Sequence, residues 1–312
     1  MSDPKELRKR LESLNRSPLP EGAEPRPEVD ELRRKIDRMA AKAPRKPPQP
    51  VLYSRDAPVA QPRPIIRPAP RGKPVALEEA IDGIEVASPH GGKAFLITAS
   101  LSQLEGDWTP LCEDFCRAVS HDESHVRRRL LTLCEPHHLR PENVVFVDIE
   151  TTGLSGQPLF LIGTLGWEAS GLAVRQYFAR NYAEERAVLS LFLDSTAGKK
   201  LLVTFNGKTF DVPYIKVRAA ANRVPFAVPR AHFDLLHEAR RAWHTGLPDH
   251  KLQTLERAIC HRVRAGDIPG SEIPEAYHAY VRTANAAQIV EILHHNMLDL
   301  VTLADLMVKL PG

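Results

Sequence analysis

Apolar residues change their spacing twice along this chain, and the three regimes predict three structural regions. In residues 1–75 they come in small groups between prolines. Leu7, Leu11 and Leu14, then Leu32, Ile36 and Met39, stand at helical spacing within Lys5 to Leu14 and Glu28 to Ala41. Two short helices are predicted there, either transient in a solvated tail or made for a protein partner. The region holds 15 of the 27 prolines, and runs such as Pro44-Arg45-Lys46-Pro47-Pro48 sustain neither a hydrogen-bond ladder nor a core. A mostly disordered arm is expected.

From residue 76 to 143 the pattern tightens. Ile84 to Val86 and Ala94 to Ile97 read as strands on either side of Pro89-His90-Gly91-Gly92, a hairpin turn, and helical spacing follows over Leu111 to Val119 and His125 to Leu133. A small accessory α+β region is predicted. From Val144 to the end, at 312, strand-like and helix-like patterns alternate. A buried strand starts at Val144, and Leu159 to Trp167 and Leu172 to Ala179 lie close enough to pair antiparallel. A helix over Ala183 to Leu193, a strand over Lys200 to Phe205, a helix over Phe210 to Asn222 and a last helix carrying Leu298, Val301, Leu303 and Leu306 complete an α/β unit. Gly163, Gly166 and Gly171 read as turn chemistry, since they lack the spacing of a nucleotide-binding loop.

Composition sharpens this picture in two places. Hydrophobic content of 43% over 312 residues supplies one good core and little more. The net charge of +3 is unevenly spread: residues 1–75 hold 18 Lys/Arg against 10 Asp/Glu, so the arm is basic at +8 and the remainder is about 5 units negative. Such an arm attracts a phosphate backbone without reading its sequence. Four cysteines, with no secretory leader or bilayer-length apolar stretch read in the sequence, give the expectation of a cytoplasmic protein with no membrane partner. Cys112, Cys116 and Cys134, with His137 and His138, offer thiolates and imidazoles for zinc, or ordinary small apolar filler.

The chemistry concentrates where the first strand of the third region ends, at Asp148-Ile149-Glu150-Thr151-Thr152-Gly153. Strand side chains alternate faces, so Asp148 and Glu150 point the same way. Two carboxylates held together repel unless one takes a proton or a cation lies between them, and their oxygens suit Mg2+ or Mn2+. Asp211 opens a helix after Asn206-Gly207-Lys208-Thr209-Phe210, and Asp299 lies in His294-His295-Asn296-Met297-Leu298-Asp299.

Asp-x-Glu-Thr-Thr-Gly, then Asn-x3-Phe-Asp, then His-Asn-x2-Asp, in that order, resembles the DEDD superfamily of 3'-5' exonucleases with a ribonuclease H-like fold. Within it, Thr204 to Asp211, Leu252 to Glu256 and Asp267 to Pro274 look like the bacterial YprB-like branch. The likeness spans residues 144 to 310, reaches more weakly into the hairpin, and leaves out the arm. It implies an α/β ribonuclease H-like mixed sheet flanked by helices and a two-metal phosphodiesterase acting on single-stranded 3' ends of DNA or RNA. Asp148 would bridge both ions, Glu150 and Asp299 would hold the ion that activates water, and Asp211 would support the second.

The family's general base is a tyrosine four residues before the last acid or a histidine five before it. Here His295 and His294 hold those positions, and an offset of four keeps a side chain on the acid's helix face, which favours His295. Thr151, Thr152 and Asn206 are candidate contacts to a terminal nucleotide, or plain turn and cap residues. Asp234 is expected to cap a helix starting at Leu235. Arg240, Arg241 and Trp243 offer either a base-stacking cluster or a solvated helix face. Three readings of function follow: a metal-dependent 3'-5' exonuclease, a catalytically weak nucleic-acid-binding scaffold of the same fold, and, fitting less well, a ribonuclease H type endonuclease.

Overall fold

The computed structural model describes residues 74–312, apart from positions 105, 155 and 265. The basic arm and its two expected helices therefore lie outside the described residues. What is described is one mixed sheet of seven strands in the order β1-β2-β5-β4-β3-β6-β7. Its centre is β3 (Val144–Thr151), whose apolar run is buried on both faces, as a central strand requires. β3 pairs antiparallel with β4 (Leu159–Glu168), and β4 with β5 (Gly171–Phe178). On its other side it runs parallel to β6 (Leu201–Thr204), which is parallel to β7 (Ala231–Asp234). The hairpin of β1 (Ile84–Ala87) and β2 (Lys93–Ser100) joins this same sheet, because β2 pairs antiparallel with β5.

Alternation along β3 divides the core. Val145, Val147 and Ile149 face one apolar layer with α4 (Glu185–Thr196), α5 (Asp211–Ala221) and α8 (Ile273–Thr283). Val144 and Phe146 face the other, with α2 (Thr109–Ser120), α3 (His125–Leu130) and α6 (Leu235–Ala242). The short α1 (Leu77–Ala80) closes the first layer, and α7 (Leu252–Ile259) packs through Leu255 on Leu306. The 22-residue α9 (Ala287–Val308) serves both layers, giving Ile289, Ile292 and Leu293 to the first and Met297 to Met307 to the second. Among the described residues no helix is long and apolar enough to cross a membrane.

Local chemistry explains the element ends. Gly91 and Gly92 take φ of 89° and 83° in the hairpin turn, a region open to glycine at no steric cost. Asp234 caps α6, its carboxylate accepting from the Leu236 amide at 3.1 Å. Three expectations need correction. β7 escaped the pattern because Ala-His-Phe-Asp is only four residues long and half polar, with pairing to β6 alone. The helix expected over His125 to Leu133 stops at Leu130 and turns, the Cys134 amide closing on the Leu130 carbonyl at 3.2 Å.

The third correction concerns the glycines. Gly171 does sit at the β4–β5 turn, with φ of 107°, but Gly163 and Gly166 lie inside β4. Gly163 stands in register between Asp148 on β3 and Gln176 on β5, and the Asn296 side chain lies across it. A Cβ there would fall about 2.8 Å from Asn296 Cγ, whereas at Gly166 it would meet nothing nearer than 3.7 Å. Gly163→Ala is therefore expected to lower the unfolding free energy by about 1–3 kcal/mol, and Gly166→Ala to leave it unchanged or raise it by up to about 1 kcal/mol. Urea denaturation of the two variants side by side checks this; equal effects would refute the close approach of Asn296.

Candidate active site

The site lies at the C-terminal ends of the parallel strands β3, β6 and β7, where strand ends and the following loops leave a crevice. Asp148 and Glu150 continue the Val144–Phe146 side of β3, so both carboxylates emerge on one face. A register shift between Glu150 and Thr151 then ends the regular pairing. Asp211 is the first residue of α5 and is buried. The loop before it is held by Asp234, whose carboxylate accepts from the Asn206 amide at 2.8 Å and the Lys208 amide at 3.0 Å. Asn206 takes φ of 64°, a left-handed conformation that asparagine tolerates better than most residues. Asp299 comes from the middle of α9.

The four acids feel one another. Burial pushes the Asp148 carboxyl well above its usual range, and the charges of Asp299, Glu150 and Asp211 push it further, against a hydrogen bond from Asn296. Burial, with the charges of Asp299, Asp211 and Asp267, raises Glu150 to about 8 although His295 pulls it down. Burial raises Asp211 to about 7, with Asp234 and Asp299 adding to it while its own amide and that of Ile149 oppose it. Solvent reaches Asp148 and Glu150 through the crevice, yet protein surrounds them closely enough for desolvation to dominate. Among the described residues, none of these three acids has a lysine or arginine within ion-pair distance.

The chain's own donors meet the remaining carboxylate oxygens. Asn296 Nδ2 donates to Asp148 Oδ2 at 2.8 Å, and Gln176 Nε2 fixes the amide by donating to Asn296 Oδ1 at 2.9 Å. Asp299 has Arg264 Nη2 in close contact on one oxygen and His295 Nε2 at 3.5 Å from the other. His295 is thus the imidazole that reaches the last acid, and His294 lies one position round the helix. His295 Nδ1 is 2.9 Å from both oxygens of Asp267. Burial opposes a charge on this imidazole, but the bond to Asp267 and the charges of Asp299 and Glu150 carry it up to about 8. Asp267, despite burial, sits below its usual range because His295 and Arg264 stabilise its anion.

Arg264, Asp267 and Asn296 were not among the residues assigned a role from the sequence. For Asp267 and Asn296 a signal was present in the Asp267 to Pro274 stretch and the His295-Asn296 pair, and for Arg264 there was none; nothing local said what any of them touches. Thr151 and Thr152 donate their hydroxyls to their own loop, to the Gly153 carbonyl at 2.9 Å and the Pro158 carbonyl at 3.1 Å. Asn206 lines a cleft of about 650 Å3 together with Asp148, Asp249, Asp299, Arg240, His250 and Lys251. Arg241 pairs instead with Glu238 at 3.1 Å, and Trp243 packs against the apolar layers. Cys112, Cys116 and Cys134 are free thiols, with Cys134 donating to the Leu130 carbonyl.

Among the described residues no three His, Cys, Asp or Glu side chains are already grouped as a metal cage. The donor set nevertheless fits a hard divalent ion. It is all oxygen, its ionised form is anionic, and at Asp148, Glu150 and Asp211 no lysine or arginine of the described residues pairs with it.

Comparison with known proteins adds the following. The family model of the RNase_H superfamily matches residues 145–311. An uncharacterized protein, YprB, of Bacillus subtilis (strain 168) is 34% identical over 173 residues, which is 54% of this chain and 42% of that protein, so the match spans well under half of the relative's length. A family B DNA polymerase from the hyperthermophilic archaeon Pyrobaculum calidifontis superposes over 52% of this chain and 24% of its own, at 19% identity and a TM-score of 0.42.

The raised carboxyls have a consequence for stability. In the folded state Asp211 holds its proton up to about 7 and Glu150 up to about 8, while an unfolded chain releases them near 3.8 and 4.5. Across that window the unfolded state binds fewer protons, so these groups make metal-free stability fall as pH rises from about 4 to about 8. Asp148→Asn removes one of the repelling charges and keeps the shape. Its Tm in a chelator, followed by differential scanning fluorimetry, is expected to exceed that of wild type at pH 8, with the gap closing toward pH 5. A lower Tm at pH 8 would show that the acids are not in mutual repulsion.

Proposed function

The chain belongs to the RNase_H superfamily, and we propose that its site hydrolyses phosphodiester bonds of single-stranded DNA or RNA from the 3' end in the presence of Mg2+ or Mn2+. The observation that carries this reading is the gathering of four acids at one crevice, where Asp148 and Asp299 line a cleft and where Asp148, Glu150 and Asp211 have, among the described residues, no lysine or arginine within ion-pair distance. Asp148, Glu150, Asp211 and Asp299 would hold the ions. Bound there, divalent ions would offset the acids' charge and stabilise the charge that builds on the entering and leaving oxygens at phosphorus.

The chain's own groups do the rest. Arg240, His250 and Lys251, which line the same cleft, would meet backbone phosphates, and the half-buried Phe205, which also lines it, would give an apolar surface for a base. His295 Nε2, facing Asp299, would take the proton as water adds to phosphorus, in the neutral form the ring regains once the charges of Asp299 and Glu150 that help hold its proton are offset. The P–O bond to the preceding 3' oxygen breaks, that oxygen gains a proton from solvent, and a nucleoside 5'-monophosphate leaves. The region outside the arm is negative overall, and Arg240, His250 and Lys251 are the basic groups that line this cleft, with Asp249 beside Lys251.

A second reading, a nucleic-acid-binding scaffold with little catalysis, is favoured by one observation: Arg264 already occupies an oxygen of Asp299. One assay separates the two. Single-stranded DNA and RNA, labelled at the 5' end, are incubated with protein and Mg2+ or Mn2+. A ladder shortening from the 3' end is expected, abolished by chelation. Asp148→Asn is expected to reduce the rate by about 10^3-fold or more, since several kcal/mol of charge stabilisation are lost at roughly 1.4 kcal/mol per tenfold. Binding without cleavage under every condition would favour the scaffold, and cutting of a circular single strand would assign an endonuclease.

Metal binding has its own readout. With Glu150 near 8 and Asp211 near 7, ions must displace protons at neutral pH. Calorimetric titration of Mn2+ at pH 7, repeated in buffers of different ionisation enthalpy, is expected to show net proton release that shrinks above pH 8.

A further inference from the structure

Thirteen residues separate α7 from α8, and the loop they form does more than connect. Arg264 Nε contacts Glu256 Oε2 of α7 at 2.6 Å, its Nη1 contacts Asp267 Oδ2 at 3.1 Å, and its Nη2 reaches Asp299. Thr302 donates to Glu256 Oε1 at 2.9 Å. Further along, Arg262 holds Asp305 Oδ2 at 2.5 Å and Thr302 Oγ1 at 3.1 Å. On α9 the residues that receive these contacts are His295, Asp299, Thr302 and Asp305, at offsets of four, seven and ten, which is one helix face. The loop is stapled along that stripe.

One of the contacts has a direction that stapling alone does not require. Both oxygens of Asp267 converge on a single ring nitrogen, His295 Nδ1, at 2.9 Å each, and both side chains are about nine-tenths buried. A carboxylate can only accept, so in the neutral ring the proton sits on Nδ1 and the lone pair on Nε2. Nε2 is the nitrogen that faces Asp299 and the site. Without Asp267 the ring is free to take the other tautomer or flip about χ2.

We infer that Asp267 is a positioning residue, held in place by Arg264, that fixes the tautomer and orientation in which His295 accepts the proton of the attacking water. The inference rests on the nuclease reading above. Asp267 touches neither substrate nor ion in this role and stays anionic throughout; the proton moves from water to Nε2, and the Nδ1 proton remains where it is. The role differs from that of the four acids, whose loss would change ion binding. It differs equally from Glu256, which holds Arg264 and no reacting group.

A double-mutant cycle tests it on the single-stranded substrate with the preferred ion. Asp267→Ala is expected to lower kcat by about 10–100-fold, the usual cost of removing an outer partner of a working histidine, with KM within about twofold. In a His295→Ala background the same change is expected to cost nothing further. Long-range 1H–15N spectra of His295 give a readout that needs no turnover: the Nδ1-protonated form in wild type, and loss of that single form in Asp267→Ala. If Asp267→Ala does not fold, Asp267→Asn takes its place in the cycle, since it keeps the shape but its amide can donate to Nδ1. An active wild type in which the two losses multiply, or a His295 spectrum unmoved by the substitution, overturns the positioning role and leaves the nuclease reading standing. A wild type with no metal-dependent cleavage of any substrate removes both.

Discussion

Like charges brought together in a poorly solvated place must be held there by something, and the architecture around this site is the means of holding them. Asp148 and Glu150 are side by side because strand alternation allows nothing else, and Asp211 and Asp299 are delivered from a helix start and a helix middle. The carboxyls of Asp148, Glu150 and Asp211 respond by clinging to protons. The cost is borne by packing elsewhere: β3 is buried on both faces and anchored between β4 and β6, so its end cannot drift away from the other acids.

The partners that are present set up an asymmetry. Asp299 faces a guanidinium and an imidazole, and Glu150 feels the charge of that imidazole, while Asp148 and Asp211 are met by neutral donors such as Asn296 and backbone amides. Arg264 takes one oxygen of Asp299, and the other lies 3.5 Å from His295 Nε2. Removing one partner from a buried charged network of this sort costs about 3–5 kcal/mol. The loop between α7 and α8 thus couples the stability of α9 to the electrostatics of the site.

α9 is where fold and chemistry meet. Most of its surface is apolar and fills both layers, and its two polar features lie on different sides: the His295, Asp299, Thr302 and Asp305 stripe toward the loop, and Asn296 toward the sheet. Asn296 can lie flat on β4 only because residue 163 has no side chain. That amide ties the β3 carboxylate to Gln176 on β5, so the helix is registered against three strands at once. A glycine inside a strand and an asparagine inside a helix, each unfavourable locally, satisfy one another.

Read from residues alone, the alternation of apolar runs already carried the mixed α/β architecture, the hairpin at 84–97, the order of most elements and the pairing of Asp148 with Glu150. These depend on neighbours one to four positions away, and chain periodicity records such neighbours directly. The helix offset likewise put His295 on the face of Asp299, a relation internal to one helix. What the pattern could not hold is who meets whom across long separations. That Asp267 clasps His295, that Arg264 reaches Asp299, and that Gly163 makes room for Asn296 are contacts between segments 28, 35 and 133 residues apart. A polar side chain in a loop looks the same whether solvent or a buried imidazole awaits it, and only the packing of α9 against the sheet and the loop decides which.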